Sequence, residues 1–183
     1  MIVLDLILNE FFLIFILILA NGFFSAAELA VLSARKTHIA GLAAAGNPNA
    51  RLVEQIQKNP HRFLATVQIG VTVVGSFASA VGGAAAIEYL KPLLQRAPFD
   101  FIRHAADPLS IALVVIGISY LFLVLGELAP KTIGLQYADR IALVVARPIR
   151  ILSIVAAVAV RFLTLSNRAV LALLRIKPRE GHA

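Results

Sequence analysis

Three long apolar runs organise the chain. The first extends from about residue 11 to 32 behind an amphipathic lead-in. The second covers 63–87 without a charged residue, and the third covers 109 to about 129, uncharged until Glu127. Each reaches or nearly reaches the roughly 20 residues that a helix needs to cross a bilayer, so the pattern predicts three transmembrane helices. A fourth apolar stretch, 141–176, has a different rhythm. Arg147, Arg161, Arg168 and Arg175 recur at multiples of seven, with Arg150 nearby. A seven-residue step returns to nearly the same helix face. The result is a basic stripe on an apolar helix, the pattern of a helix lying along a membrane surface. A fourth span with snorkelling arginines is the alternative. Between the first two runs, 37–58 holds Gly41, Gly46 and the turn-forming Asn47-Pro48, then a helix-compatible run to Lys58. That predicts a pair of short surface helices, closed by a break at Asn59-Pro60. The expected fold is all-α integral membrane: three transmembrane helices with a cytoplasmic juxtamembrane helical belt over 37–58 and 141–176.

Composition agrees. Of 183 residues, 60% are hydrophobic and 15% charged, against roughly half and about a quarter in soluble domains. There are no cysteines, which excludes disulfides and thiolate metal sites. The N-terminal run is not a signal peptide by pattern. It carries Asp5 and Glu10 where a basic n-region belongs, and it continues too far. The formal net charge of +7 comes without an aromatic-basic patch or a nucleic-acid reader motif. Nucleic acid is therefore not an expected partner, and the bilayer is. Between the first two runs lie Arg35, Lys36, Arg51, Lys58 and Arg62 against the single acid Glu54; between the next two lie Lys91, Arg96 and Arg103 with Asp100 and Asp107. The positive-inside rule puts the first connection and the C-terminus in the cytoplasm and the N-terminus outside, in a multi-pass protein of the inner (plasma) membrane. The polar stretch 177–183 reads as a tail cut from a longer protein.

The stretch Gly126-Glu127-Leu128-Ala129-Pro130-Lys131-Thr132 carries the most information. An ionisable carboxylate at membrane depth is a functional-site hypothesis by default, because a charged, unpaired acid there costs about 2.5 kcal/mol or more. Pro130 follows three residues later. Its ring clashes with the carbonyl of the residue four back, Gly126, and it has no N–H to bond that carbonyl. Irregular backbone at this depth is tolerated only inside protein or beside a water-filled cavity. The sequence thus predicts a helix break at Pro130 with a carboxylate beside a freed carbonyl.

The other runs carry polar stripes. Asn21, Ser25 and Glu28 share a face of the first helix; Gln68, Thr72, Ser76, Ser79 and Gly83 follow the same rhythm in the second; Ser110 and Gly117 precede the Gly126–Pro130 stretch in the third. Polar residues in a bundle face its interior, so the three stripes predict an enclosed cavity of hydroxyls, an amide and two carboxylates. Each residue also has a bland reading. The hydroxyls bond their own helix carbonyls. Gly75, Ser79 and Gly83 form a small-residue helix contact. Asn21-Gly22 kinks the first helix, Glu28 pairs with Arg35 or Lys36, and Glu127 pairs with Lys131 one turn on. All donors in the stripes are hard oxygens, and His38, His61, His104 and His182 lie outside the spans. Magnesium, calcium or sodium suits such a set better than copper or zinc.

Ala20-Asn21-Gly22-Phe23-Phe24-Ser25-Ala26-Ala27-Glu28-Leu29-Ala30 with Ser33-Ala34-Arg35 resembles the first-helix signature of the CorC/CNNM (cyclin M) family. Gly126-Glu127-Leu128-Ala129-Pro130-Lys131 resembles that family's most distinctive motif, and Thr66-Val67-Gln68-Ile69-Gly70-Val71-Thr72 its second helix. The resemblance covers nearly the whole chain. It implies a homodimer with a juxtamembrane belt that transports magnesium, generally as efflux, with sodium (Na+) coupling proposed for some members. It implies metal positions at Ser25, Ser76, the Gly126 carbonyl and Glu127, with Asn21 and Glu28 as ligands or supports of ligands. Gly75 departs from the asparagine that many relatives carry. Family members normally continue into cytosolic CBS domains, often nucleotide-binding, which these residues do not include.

The expected function is magnesium (Mg2+) efflux by alternating access. A non-transporting magnesium-sensing module that regulates another transporter is the alternative. An enzyme is not expected, since the spans hold no Ser/His or paired-Asp constellation. Pro130→Ala restores a backbone donor, so magnesium binding measured by titration calorimetry is expected to weaken; full affinity in that variant would count against a role for the freed carbonyl.

Overall fold

The computed structural model describes residues 2–173. Helix α1 (Ile2–Ser33) is the first span. Two short helices follow, α2 (Lys36–Ala44) and α3 (Pro48–Lys58). Helix α4 (His61–Ala85) runs through a π-helical turn, Ala86–Leu90, into α5 (Lys91–Leu94). After the short α6 (Asp100–His104), α7 (Ala106–Leu123) runs through a second π turn, Val124–Leu128, into α8 (Ala129–Gln136). Helices α9 (Ala138–Val155) and α10 (Ala157–Leu173) complete the described chain. No strand occurs among the described residues.

Three helices are long and apolar enough to span a membrane: Asn9–Ser33, His61–Leu94 and Ala106–Gln136. The chain is an all-α membrane domain. Two departures from the sequence expectation have physical causes. The third span does not stop at Pro130. The backbone widens into a π turn just before the proline, which lets the helix carry a residue without an N–H and continue to Gln136. The stretch 141–176 is not one helix. A break at Ala156 divides α9 from α10, and among the described residues neither half has the length and apolarity of a fourth span. Arg175 and the 177–183 tail lie outside the described residues, as does the side chain of Arg168.

The turn chemistry of the first connection is as the residues dictate. Gly46 adopts φ +94°, the left-handed geometry that glycine takes at a helix C-terminus. Asn47 Oδ1 accepts from the N–H groups of Asn49 and Ala50 at 2.9 and 3.2 Å, capping α3, while Pro48 occupies its first turn.

The hydrophobic core sits at the juxtamembrane end, not midway along the spans. Ala27 and Val31 of α1, with Ala34 just beyond its end, pack with Ile39, Ala43, Ala50, Val53, Phe63, Val67, Ala142, Val145, Ala146 and Ile149. The residues come from α1, α2, α3, α4 and α9, so the short helices are clamped onto the ends of the first two spans. Gln57 Nε2 donates to the carbonyls of Val31 and Ala34, both at 2.9 Å, satisfying two acceptors that the end of α1 leaves open. Elsewhere the spans meet through small residues. A Cβ on Gly134 would lie 2.6 Å from the Ala26 carbonyl oxygen, so only glycine lets α8 approach the α1 backbone this closely. Gly70 accommodates the ring of Phe24, and Gly82 the tip of Ile118. Gly75 and Gly83 have no such neighbour; the small-residue contact expected from Gly75, Ser79 and Gly83 is made by Gly82 instead.

Asp139 ties the belt to the first span. Its Oδ1 accepts the Arg35 N–H at 2.9 Å, and its Oδ2 receives Arg35 Nη2 at 2.7 Å and Nε at 2.9 Å. The Arg35 N–H, opposed by partial burial and aided by the guanidinium and His38, holds the Asp139 carboxyl below its ordinary value. A lowered folded-state value means that the tie stabilises fully above the ordinary carboxylate range and is lost as pH falls through the lowered value. Asp139→Asn is expected to cost about 1 kcal/mol or less at pH 7, with the gap to wild type closing as thermal unfolding is repeated toward pH 3. A gap that does not change with pH would show that the carboxylate charge plays no part.

Candidate cation site

The freed carbonyl of the third span is occupied by the first. Gly126 O accepts Asn21 Nδ2 at 2.9 Å and Ser25 Oγ at 3.0 Å. Asn21 and Ser25 are one helical turn apart, so both reach the same oxygen. They are 4% and 2% exposed, and Gly126 is buried. The approach depends on two glycines. A Cβ on Gly22 would touch Pro130 Cγ at 3.0 Å, and one on Gly126 would crowd Asn21 Nδ2 at 3.1 Å.

Asn21 is left half satisfied. Its Oδ1 is buried and has no hydrogen-bond partner among the described residues. The amide cannot simply be turned over, because the Gly126 carbonyl accepts and would repel Oδ1 in place of the N–H. A stranded buried acceptor costs roughly 1–3 kcal/mol. Ser25 Oγ donates its proton to Gly126 and keeps its lone pairs. Two oxygen acceptors therefore flank a carbonyl in a buried place, which is a cation's coordination chemistry rather than an anion's.

A cavity of about 470 Å³ opens beside this cluster between α1, α4 and α7. Asn21, Gly75, Ser79, Ser119 and Glu127 contribute its polar or small positions, and Val71, Ala78, Ile118, Phe122 and Leu123 its apolar wall. Glu127 Oε1 accepts from Lys131 Nζ at 2.7 Å, the one-turn ion pair that the spacing offered. No cluster of three or more His, Cys, Asp or Glu side chains occurs among the described residues. The candidate site is therefore built from carbonyl, amide, hydroxyl and a single carboxylate.

The six residues singled out from sequence do not all converge. Asn21, Ser25 and Gly126 are in mutual contact, and Glu127 is the next residue along the π turn. Glu28 is half-buried one turn beyond Ser25. It is not paired with Arg35, which Asp139 occupies. Ser76 is exposed and does not line the cavity, as are Gln68 and Thr72 of the same stripe. The hydroxyls of Thr66 and Ser110 bond their own helix at Arg62 O and Asp107 O, at 2.8 and 2.9 Å. Ser119 was not legible. It stands eight residues before Glu127, which a straight helix would rotate by about 80°. The extra residue of the π turn brings the two back to one face.

The sequence profile described as the cyclin M transmembrane N-terminal domain (CNNM) matches residues 12–183. The chain is 42% identical over 172 residues to the UPF0053 protein sll0260 of Synechocystis sp., covering 94% of this chain and 38% of that protein. It is 30% identical over 175 residues to the UPF0053 protein YhdT of Bacillus subtilis, covering 96% and 38%. It is 32% identical over 143 residues to the polyamine export protein of Salmonella typhimurium, covering 78% and 31%. The chain thus spans well under half the length of these curated relatives.

Asn21→Leu removes the stranded acceptor along with one bond to Gly126, leaving Ser25 on the carbonyl. The two effects are of similar size, about 1 kcal/mol each, so the melting temperature without added cation is expected to change little. The stabilisation that a bound cation confers is expected to fall. A large loss of basal stability would mean that Oδ1 has a partner.

Proposed function

This chain belongs to the cyclin M (CNNM) transmembrane-domain family, and on that premise we propose that it exports a cation, magnesium in the first reading, by alternating access. The observation that carries the reading is the unpartnered Asn21 Oδ1 beside the Gly126 carbonyl and the Glu127 carboxylate. The cation is held by Asn21 Oδ1, Ser25 Oγ, the Gly126 carbonyl and Glu127. Magnesium is strongly hydrated and keeps several of its waters, and the cavity leaves room for them.

Three existing interactions oppose the cargo. The Gly126 carbonyl already accepts two hydrogen bonds. Binding there requires the Asn21 amide or the Ser25 hydroxyl to turn. Lys131 is a tethered cation on Glu127, so an arriving cation displaces it. Release of the cargo lets Lys131 return, which gives the empty carrier a neutral carboxylate pair to carry back across the membrane. Glu28, without an ion pair among the described residues, is a waiting carboxylate on the path from the belt. Ser76 joins only if α4 turns toward α7. Orientation follows the basic residues of the first connection, with the belt cytoplasmic in the inner (plasma) membrane. The outward faces of α4 and α7, bearing Val73, Phe77, Ile116 and Tyr120, suit a second copy of the chain.

A second reading is favoured by one relative and one feature. The Salmonella relative is named a polyamine export protein. The apolar wall of Val71, Ile118, Phe122 and Leu123 suits a methylene stem, and Lys131 already presents an ammonium to Glu127. Flux from proteoliposomes decides between them. Magnesium and spermidine are loaded separately, with and without a sodium gradient. Magnesium efflux is expected, and Glu127→Gln is expected to reduce it roughly tenfold or more. Spermidine flux without magnesium flux would move the assignment to polyamines. Magnesium binding with neither flux would favour a sensor.

A further inference from the structure

A second cluster lies at the other functional end of the chain, where the second span enters the belt. Two clefts, of about 330 and 320 Å³, share Asn59 and Arg62 as a common wall. Arg150 lines the first, against Phe63, Ile149 and Ile154. Arg161 lines the second, with His61, Ala65 and Val160. Arg62 Nη2 donates to the Ser153 carbonyl at 3.0 Å, which holds the guanidinium between the two clefts. Among the described residues, no acidic side chain lines either cleft. The nearest acid on α3, Glu54, is paired with Lys58 at 2.9 Å. Arg150 and Arg161 have no ion pair among the described residues.

Two arginines without an ion pair among the described residues, one in each of two clefts joined at Arg62, call for an anion, and phosphate is the oxyanion that a guanidinium fork fits best. The surroundings say which phosphate. Ile151, Ile154, Val155, Val158 and Phe162 are 62–80% exposed on the same two helices. Such a face beside a row of arginines is that of a helix seated in the headgroup region of a bilayer. A soluble phosphate compound gains nothing from it, whereas acyl chains cover it.

We propose that the paired clefts on either side of Arg62 bind the phosphate group of an anionic phospholipid from the leaflet beside the belt, fixing α9 and α10 to the entrance of the second span. The proposal is independent of which cation is moved. It is tested by native mass spectrometry of the delipidated protein, titrated with phosphatidylglycerol, phosphatidylcholine or glycerol phosphate. Retained phosphatidylglycerol adducts are expected, with weak phosphatidylcholine binding and no competition from glycerol phosphate. The double variant Arg150→Gln/Arg161→Gln is expected to lose about fivefold in affinity per arginine. Arg140→Gln, on α9 but outside both clefts, is expected to bind as wild type does. Equal retention of phosphatidylcholine and phosphatidylglycerol would overturn the proposal. So would an Arg140→Gln loss as large as that per arginine in the double variant, which would mean general surface charge. Full competition by glycerol phosphate would show a soluble-phosphate site instead. A wild-type melting temperature in the double variant keeps a lost adduct from being read as misfolding.

Discussion

One missing hydrogen bond organises the membrane half of this protein. Pro130 cannot donate to the carbonyls behind it, and in a lipid-facing helix an orphaned carbonyl has no water to turn to. The chain answers in two ways. The backbone widens into the π turn Val124–Leu128, and the first span supplies side chains to the Gly126 oxygen. The second answer fixes the position of α1 against α7 and α8 within a few tenths of an ångström, because hydrogen bonds tolerate little more. That position in turn requires glycine at 134, where a Cβ would meet the Ala26 backbone, and favours it at 22 and 126, where a Cβ would press on Pro130 or Asn21. The polar contact and the small-residue packing are thus one constraint seen twice.

The buried core and the candidate cation site occupy different parts of the spans. The buried aliphatic cluster is at the belt, where α2, α3 and α9 surround the end of α1 and the start of α4. Toward the other end, most of the second and third spans faces outward; only 17% and 11% of their apolar stretches are buried. A bundle anchored at one end and lightly packed along its length permits α4 and α7 to shift about α1 without unfolding the core. Alternating access needs a division of this kind, since the elements that move must come from the weakly packed part of the molecule.

The outline was legible because hydrophobic length, basic loops and turn residues act locally. The three spans, the α2–α3 pair, the Asn47-Pro48 turn and the Asn59-Pro60 break all rest on residues close in sequence. The Gly126 carbonyl was legible for the same reason: proline's effect falls on a residue four back. What could not be read depends on register or on distant partners. Nothing local says that Pro130 is absorbed by a π turn rather than ending the helix, and that one extra residue decides whether Ser119 faces Glu127. The stripe on α4 misled because polarity marks a face as different from lipid without saying what it faces. Gln68, Thr72 and Ser76 are exposed, while the cavity uses Gly75 and Ser79. Proximity in sequence offered Glu28 a partner in Arg35 or Lys36, but Asp139, more than a hundred residues away, gives the Arg35 N–H and guanidinium a better acceptor.

If the site takes a cation as proposed, its charge balance explains why so few acids suffice. Glu127 with Lys131 sums to zero, and the Asn21, Ser25 and Gly126 groups are dipoles. A neutral cluster crosses a low-dielectric region at far less cost than an isolated carboxylate does. A cage of three carboxylates would hold a divalent cation more tightly, but it would also leave a large negative charge behind on release. Transport needs binding weak enough to reverse. A single carboxylate with its own tethered ammonium meets that need. On the proposed reading, a cation competes against Lys131 rather than against empty space, and the difference between those two interactions, not the full strength of either, sets how firmly it is held.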